Sequence, residues 1–224
     1  LKGESCMLDL GANIECDSGN LVQFAVMGQI FARLVLNLKR PTVGLLNVGS
    51  EEQKGHEELR EASAILRQID LPMEFIGFVE GDDITAGTVD VIVTDGFSGN
   101  IALKAAEGTS RMFTFFLKEA FGSSIYSKIG YVLSKTAINQ VRERMDPRKY
   151  NGAVFLGLNG IAVKSHGSTD SFGFANAIGV AADMSEYGFL DKVKDELRIL
   201  HAEGEASEKL LSLIHISEPT RHRG

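Results

Sequence analysis

Val91-Ile92-Val93-Thr94-Asp95-Gly96-Phe97-Ser98-Gly99-Asn100, continuing into Ile101-Ala102-Leu103-Lys104, joins an apolar run, a polar glycine-rich turn and a helix-forming segment. Three β-branched residues with no polar alternation read as a strand buried on both faces. Asp95, Gly96, Ser98, Gly99 and Asn100 are turn and cap formers. The stretch therefore reads as strand, turn and helix start. Its turn presents backbone N–H groups at a helix N-terminus, which is a seat for phosphate or another oxyanion.

Outward from this stretch the pattern repeats. Comparable turns stand at Asp9-Leu10-Gly11-Ala12-Asn13, at Asn47-Val48-Gly49-Ser50-Glu51-Glu52-Gln53-Lys54-Gly55, and at Ser165-His166-Gly167-Ser168-Thr169-Asp170. Strands are expected over Ser5 to Leu10, Thr42 to Val48, Glu74 to Val79, Val89 to Thr94, Ala153 to Leu158 and Ile161 to Lys164. Helices are expected over Leu21 to Leu38, Glu51 to Ile69, Asp170 to Glu186 and Leu190 to His201. A long helical region runs from Ile101 to about Arg144, interrupted near Gly122-Ser123-Ser124. This alternation predicts an α/β fold with a mainly parallel sheet covered on both faces. In such a sheet all four turns gather at the carboxyl ends of the strands, where ligands bind.

Composition narrows the function. The 224 residues suit one large domain or two small ones, and the net charge of −7 argues against a nucleic-acid protein. Cys6 and Cys16 lack zinc spacing and read as small buried hydrophobes rather than nucleophiles, which fits a reducing compartment. The longest apolar stretch, Leu21 to Leu38, is broken by Gln23, Gln29, Arg33 and Asn37, so it reads as a buried helix and not a membrane span. The chain opens without Met and without a secretory leader, directly before a strand-like segment, and is expected to be a piece of something longer. Residues 212–224 change character abruptly after a charged helix. They are read as a tail foreign to the fold, and neither of its histidines is taken as a ligand.

No Gly-x-Gly-x-x-Gly follows a strand, and neither Gly-x-x-x-x-Gly-Lys-Ser/Thr nor Gly-x-Ser-x-Gly is present. The polar groups that enter the turns are Lys54 and the amides of Asn13, Asn47 and Asn100. Lys54 has two readings: a phosphate ligand, or a solvated lysine of a first helical turn paired with Glu51 or Glu52. His166, beside Ser165 and Ser168, reads better as a polar ligand than as a catalytic base, because no orienting carboxylate is near it in sequence. Glu80, Asp82 and Asp83 read as a solvated acidic turn rather than a metal site.

At these residues the chain resembles a known family, the acyl-carrier-protein:phosphate acyltransferases of bacterial phospholipid synthesis. The resemblance lies in Leu8 to Asn13, Gly44 to Gly49 with Glu51 to Gly55, Val79 to Ile84, Asp95 to Lys104, and Phe155 to Gly160 through His166-Gly167. It extends from Leu1 to about His201. It implies a Rossmann-like three-layer α/β/α sandwich, related to isocitrate dehydrogenases and phosphotransacetylases, that works as a homodimer. It also implies a reaction of inorganic phosphate with the thioester of a long-chain acyl group on acyl carrier protein, giving acyl phosphate. No metal or cofactor is implied. Phosphate is itself the nucleophile, so what is required is orientation and donors facing the developing oxyanion. Lys54 is expected to neutralise phosphate or the oxyanion and Asn100 to hydrogen-bond the same group. Asn13, Asn47, Gly49, Gly96, Ser98, Gly99, His166 and Gly167 are expected to line the phosphate and thioester site. A phosphotransacetylase-like enzyme acting on acyl-coenzyme A, and a non-catalytic carrier-binding scaffold at the membrane, are the alternatives.

Residues 111–149 hold eight basic and three acidic side chains in a chain of net −7. The basic side chains include Lys128, Lys135 and Arg142, and among the interleaved apolar residues are Ile125, Tyr126, Ile129, Tyr131 and Leu133. A basic amphipathic helical arm of this kind suits an anionic surface. It is expected to steer the acidic carrier protein, to dip its tip into the membrane interface, or to do both, and the protein is expected to be cytoplasmic and peripherally membrane-associated. An ordinary core or dimer helix is the plain alternative. Family members carry a further N-terminal segment, so residues 1–211 are expected to form about two-thirds of one acyltransferase domain. With sheet edges left unpaired, that piece is expected to be unstable or inactive alone.

Overall fold

The computed structural model describes residues 5–144, 146, 148–149, 151–167 and 169–198. Its centre is a parallel sheet of β1 (Cys6–Leu8), β2 (Thr42–Leu46), β3 (Glu74–Val79) and β4 (Val91–Val93), in the order β1-β4-β2-β3. The chain is thus α/β with a mainly parallel sheet of the Rossmann-like kind. β4 is central, and Val91, Ile92 and Val93 are all fully buried, which is why that strand reads as an unbroken apolar run. Val91 and Val93, with Val43 and Leu45 of β2, face the larger core. Ile92 points the other way, into a smaller cluster with Val79 and Val89 that is closed by Ile84 of α3 (Asp83–Ala86).

The larger core is covered by α1 (Ser18–Leu34), α2 (Glu57–Leu66) and a helical stretch at 189–198. Asp17 and Asn20 form a reciprocal capping box that fixes where α1 begins. Gln29 of α1 is fully buried and donates to the Glu196 carboxylate, whose other oxygen lies 2.8 Å from Arg33 Nη1. This polar clasp ties the 189–198 stretch to α1. At the amino edge of the sheet, Asp90 Oδ2 accepts from the Thr42 amide and hydroxyl, each at 2.8 Å, and locks the register of β2 against β4.

The arm is a helical hairpin of α4 (Gly96–Gly122) and α5 (Ile125–Arg144). At 1.5 Å per residue, α4 is about 40 Å long. The Ser124 hydroxyl accepts from the Ser127 amide at 3.1 Å and opens α5. Phe121 and Tyr131 meet edge-to-face at 5.4 Å and hold the two helices together.

Three expectations are corrected. Residues 51–55 form a loop and not the first turns of α2, because Gly55 adopts φ +88° and the helix begins only after His56. α4 begins at Gly96 rather than Ile101, because Asp95 caps it by accepting from the Ser98 amide at 2.7 Å. The last two strands do not join the parallel sheet: β5 (Ala153–Val154) and β6 (Val163–Lys164) pair antiparallel in a separate hairpin ahead of α6 (Ser171–Glu186). Ser168, residues 199–211 and the 212–224 tail lie outside the described residues, as do the side chains of Arg142 and Arg144.

Candidate active site

Three of the four glycine turns leave the carboxyl edge of the parallel sheet: 9–13 from β1, 47–55 from β2 and 95–100 from β4. The first is organised by Asp9, a residue that reading the sequence did not assign. Its carboxylate accepts from the amides of Gly11 (2.9 Å), Ala12 (3.0 Å) and Asn13 (2.6 Å), and from Asn13 Nδ2 (2.8 Å). Burial by itself would raise the Asp9 pKa, but these four donors outweigh it and hold the carboxyl below its ordinary value. An aspartate in the spacing Asp-x-Gly-x-Asn is the sequence signal of such a turn.

The loop so formed is pressed against the start of α4. The Gly96 amide donates to the Asn13 carbonyl at 2.7 Å, and Asn100 Nδ2 donates to the Leu10 carbonyl at 3.0 Å. A Cβ at Gly99 would collide with the Asp9 carbonyl oxygen, so only glycine lets the helix come this close. Several expected phosphate donors therefore already have partners. The amides of Gly96, Ser98 and Gly99 bond to Asn13, Asp95 Oδ1 and the Asp95 carbonyl, respectively. Asn13 spends its amide and side chain on Asp9.

Asn47 is buried and braces the second loop. Its Oδ1 accepts from the Val48 amide at 2.8 Å, and its Nδ2 donates to the Lys54 carbonyl at 3.0 Å. Lys54 thus sits on a closed loop with its side chain folded across Gly49, where its Nζ lies 2.8 Å from Glu51 Oε1. Glu52 pairs elsewhere, with Arg67 at 3.2 Å. The hydrogen bond with Glu51, and then its charge, raise the Lys54 pKa, and Glu80 at the end of β3 adds in the same sense. Lys54 is a fully charged ammonium at the same edge as the other two loops, with half its side chain exposed.

The fourth turn does not join them. His166 and Gly167 follow β6, and the His166 amide donates to Asn151 Oδ1 at 2.9 Å. Buried Asn151, unassigned from the sequence, also donates to Ser165 Oγ and to the Gly173 carbonyl, each at 2.8 Å, and so pins the turn to α6. Ser165, His166, Gly167 and Phe174 line an open cleft of about 510 Å³ there.

Neither cysteine is a poised thiolate: burial and then the Asp90 charge push the Cys6 thiol up to about 12, and burial raises Cys16 as well. Among the described residues, no group of three His, Cys, Asp or Glu is placed to hold a metal ion. On the arm, Ile125, Tyr126, Ile129, Val132 and Leu133 are exposed, and so are Lys128 and Lys135. Tyr131 instead packs on Phe121, and Arg148 at the arm's base is taken up by Asp146 (2.6 Å) and Asp170 (2.7 Å). No described helix is long and apolar enough to cross a membrane.

Comparison with known proteins matches residues 1–192 to the family described as Fatty acid synthesis protein. A phosphate acyltransferase of Rhodospirillum centenum is 64% identical over 207 residues, covering 92% of this chain and 58% of that protein. One from Paramagnetospirillum magneticum is 61% identical, covering 88% and 56%, and one from Agrobacterium fabrum is 58% identical, covering 90% and 58%. The chain spans somewhat more than half the length of these relatives. On the extent of the match and the level of identity, the chain belongs to the fatty acid synthesis protein family.

Proposed function

We propose that this chain carries the phosphate-handling part of an enzyme that moves a long-chain acyl group from acyl carrier protein to inorganic phosphate. The observation that supports the reading is that the 9–13, 47–55 and 95–100 turns leave one carboxyl edge of the sheet, the first and third in direct contact and the second carrying the Lys54 ammonium. The names of the relatives supply the reaction class. In the reaction, a phosphate oxygen attacks the thioester carbonyl carbon, and the carbonyl oxygen becomes an oxyanion. The tetrahedral species then collapses by breaking the carbon–sulfur bond, and the thiolate leaves and takes up a proton. Lys54 exchanges Glu51 for phosphate and neutralises it. Asn100 holds the first loop against α4, so its part is to position that wall as well as to donate.

The exposed apolar residues between Ile125 and Leu133, with Lys128 among them and Lys135 just beyond, support peripheral contact with an anionic membrane. The same apolar flank supports pairing with a second copy of the chain. Mass-spectrometric detection of acyl phosphate from acyl-carrier thioester and phosphate tests the reading, with acetyl-coenzyme A as the rival donor. Turnover of acetyl-coenzyme A alone would overturn it.

A further inference from the structure

Asn100, Lys104, Glu107 and Arg111 recur at helical spacing on one stripe of α4. The stripe starts at the loop contact of Asn100 with Leu10 and runs outward along the arm. Glu107 Oε2 accepts from Lys104 Nζ at 3.0 Å and from Arg111 Nη2 at 3.3 Å. One carboxylate thus aligns two cations, leaving a net positive charge, and each cation keeps unused N–H donors. Both cationic side chains are well exposed, at 59% and 77%.

The spacing matches the reach of a pantetheine arm. Glu107 stands eleven residues beyond the start of α4, or about 16 Å along its axis. A pantetheine arm places about thirteen bonds between its phosphorus and its sulfur, which at the reach of extended backbone is about 15 Å. A phosphodiester held at Glu107's two cations would therefore bring its thioester to the first turn of α4 beside Gly96, where the 9–13 loop packs. Resting on the reaction proposed above, we infer that the Asn100–Arg111 stripe is the track for a phosphopantetheine arm, with Lys104 and Arg111 holding its phosphodiester.

Calorimetric titration of the whole chain with 4′-phosphopantetheine and with pantetheine tests this. The phosphorylated compound is expected to bind at least tenfold more tightly, and the K104Q/R111Q double variant, altered only at exposed positions, to lose that preference. Equal affinities, or a preference that survives in the variant, overturn the track. Titration with carrier protein bearing its arm, and with coenzyme A, then names the source of the phosphodiester by whichever loses more affinity in the variant. Acyl phosphate formed without the preference sinks the track alone. A preference that the parent shows and the variant loses, without acyl phosphate, sinks the proposed reaction and leaves the phosphodiester seat standing.

Discussion

Asn100 and Leu10 are ninety residues apart, yet the Asn100 side-chain amide donates to the Leu10 carbonyl at 3.0 Å. This bond fastens the start of α4 to the loop after β1, so two walls of the candidate site are one unit. Asn100→Ala is expected to cost about 1 kcal/mol of stability. It is also expected to lower kcat/KM for acyl phosphate formation by 10-fold or more, since the wall would no longer be held. Denaturant unfolding and steady-state kinetics on the same variant check both parts. Unchanged kinetics with lost stability would confine the bond to a structural part.

Asp9 sets the pH behaviour of that wall. Its native pKa lies below its ordinary value, so its contribution is complete above the ordinary value and is lost as pH falls through the native one. Asp9→Ala strands four donors and is expected to cost about 3 kcal/mol, or a drop in Tm of roughly 6–12 °C for a chain of this size. The variant's stability should also decline less steeply than the parent's below about pH 4. Thermal unfolding between neutral and acid pH reads both effects.

Two glycines on the arm's helices should respond in opposite ways. Gly99→Ala drives a methyl into the Asp9 carbonyl and Thr94 Cγ2, and is expected to cost about 2–3 kcal/mol. Gly130→Ala meets nothing within 4 Å and is expected to gain up to about 1 kcal/mol from helix propensity. Urea midpoints of the two variants test the pair.

Lys54 and Glu51 form an exposed pair, so Glu51 competes with any anion that Lys54 binds. Glu51→Gln is expected to lower the KM for phosphate about two- to fivefold. Lys54→Ala is expected to reduce kcat/KM by about 10²–10³. A phosphate KM that rises in Glu51→Gln would show that the carboxylate orients Lys54 instead of masking it.

Much of the scaffold was legible from local pattern. The bounds of β3 match the expected Glu74 to Val79, and the apolar runs at Val43 and Val91 marked the strands buried deepest. Periodicity and capping chemistry act over a few residues, so the sequence displays them directly. The site was legible only in part. Lys54, Asn47 and Asn100 stood out by residue type, but Asp9, although it heads a quoted turn, and Asn151 and Glu107 were given no role. Their role depends on which amides and cations surround them.

The order of strands and helices, the α/β class and the glycine turns follow from the chain's own short-range chemistry. Which turns meet was decided by pairing. Because β1 lies beside β4, the loops they feed share an edge, and Gly96 and Gly99 became points of close approach rather than open anion seats. The Ser165–Asp170 turn resembled the others in its glycine and its small polar residues, but the strand before it paired antiparallel outside the sheet. Hydrogen bonding between distant strands selects neighbours by register and burial of both partners, and neither quantity exists until the chain has folded.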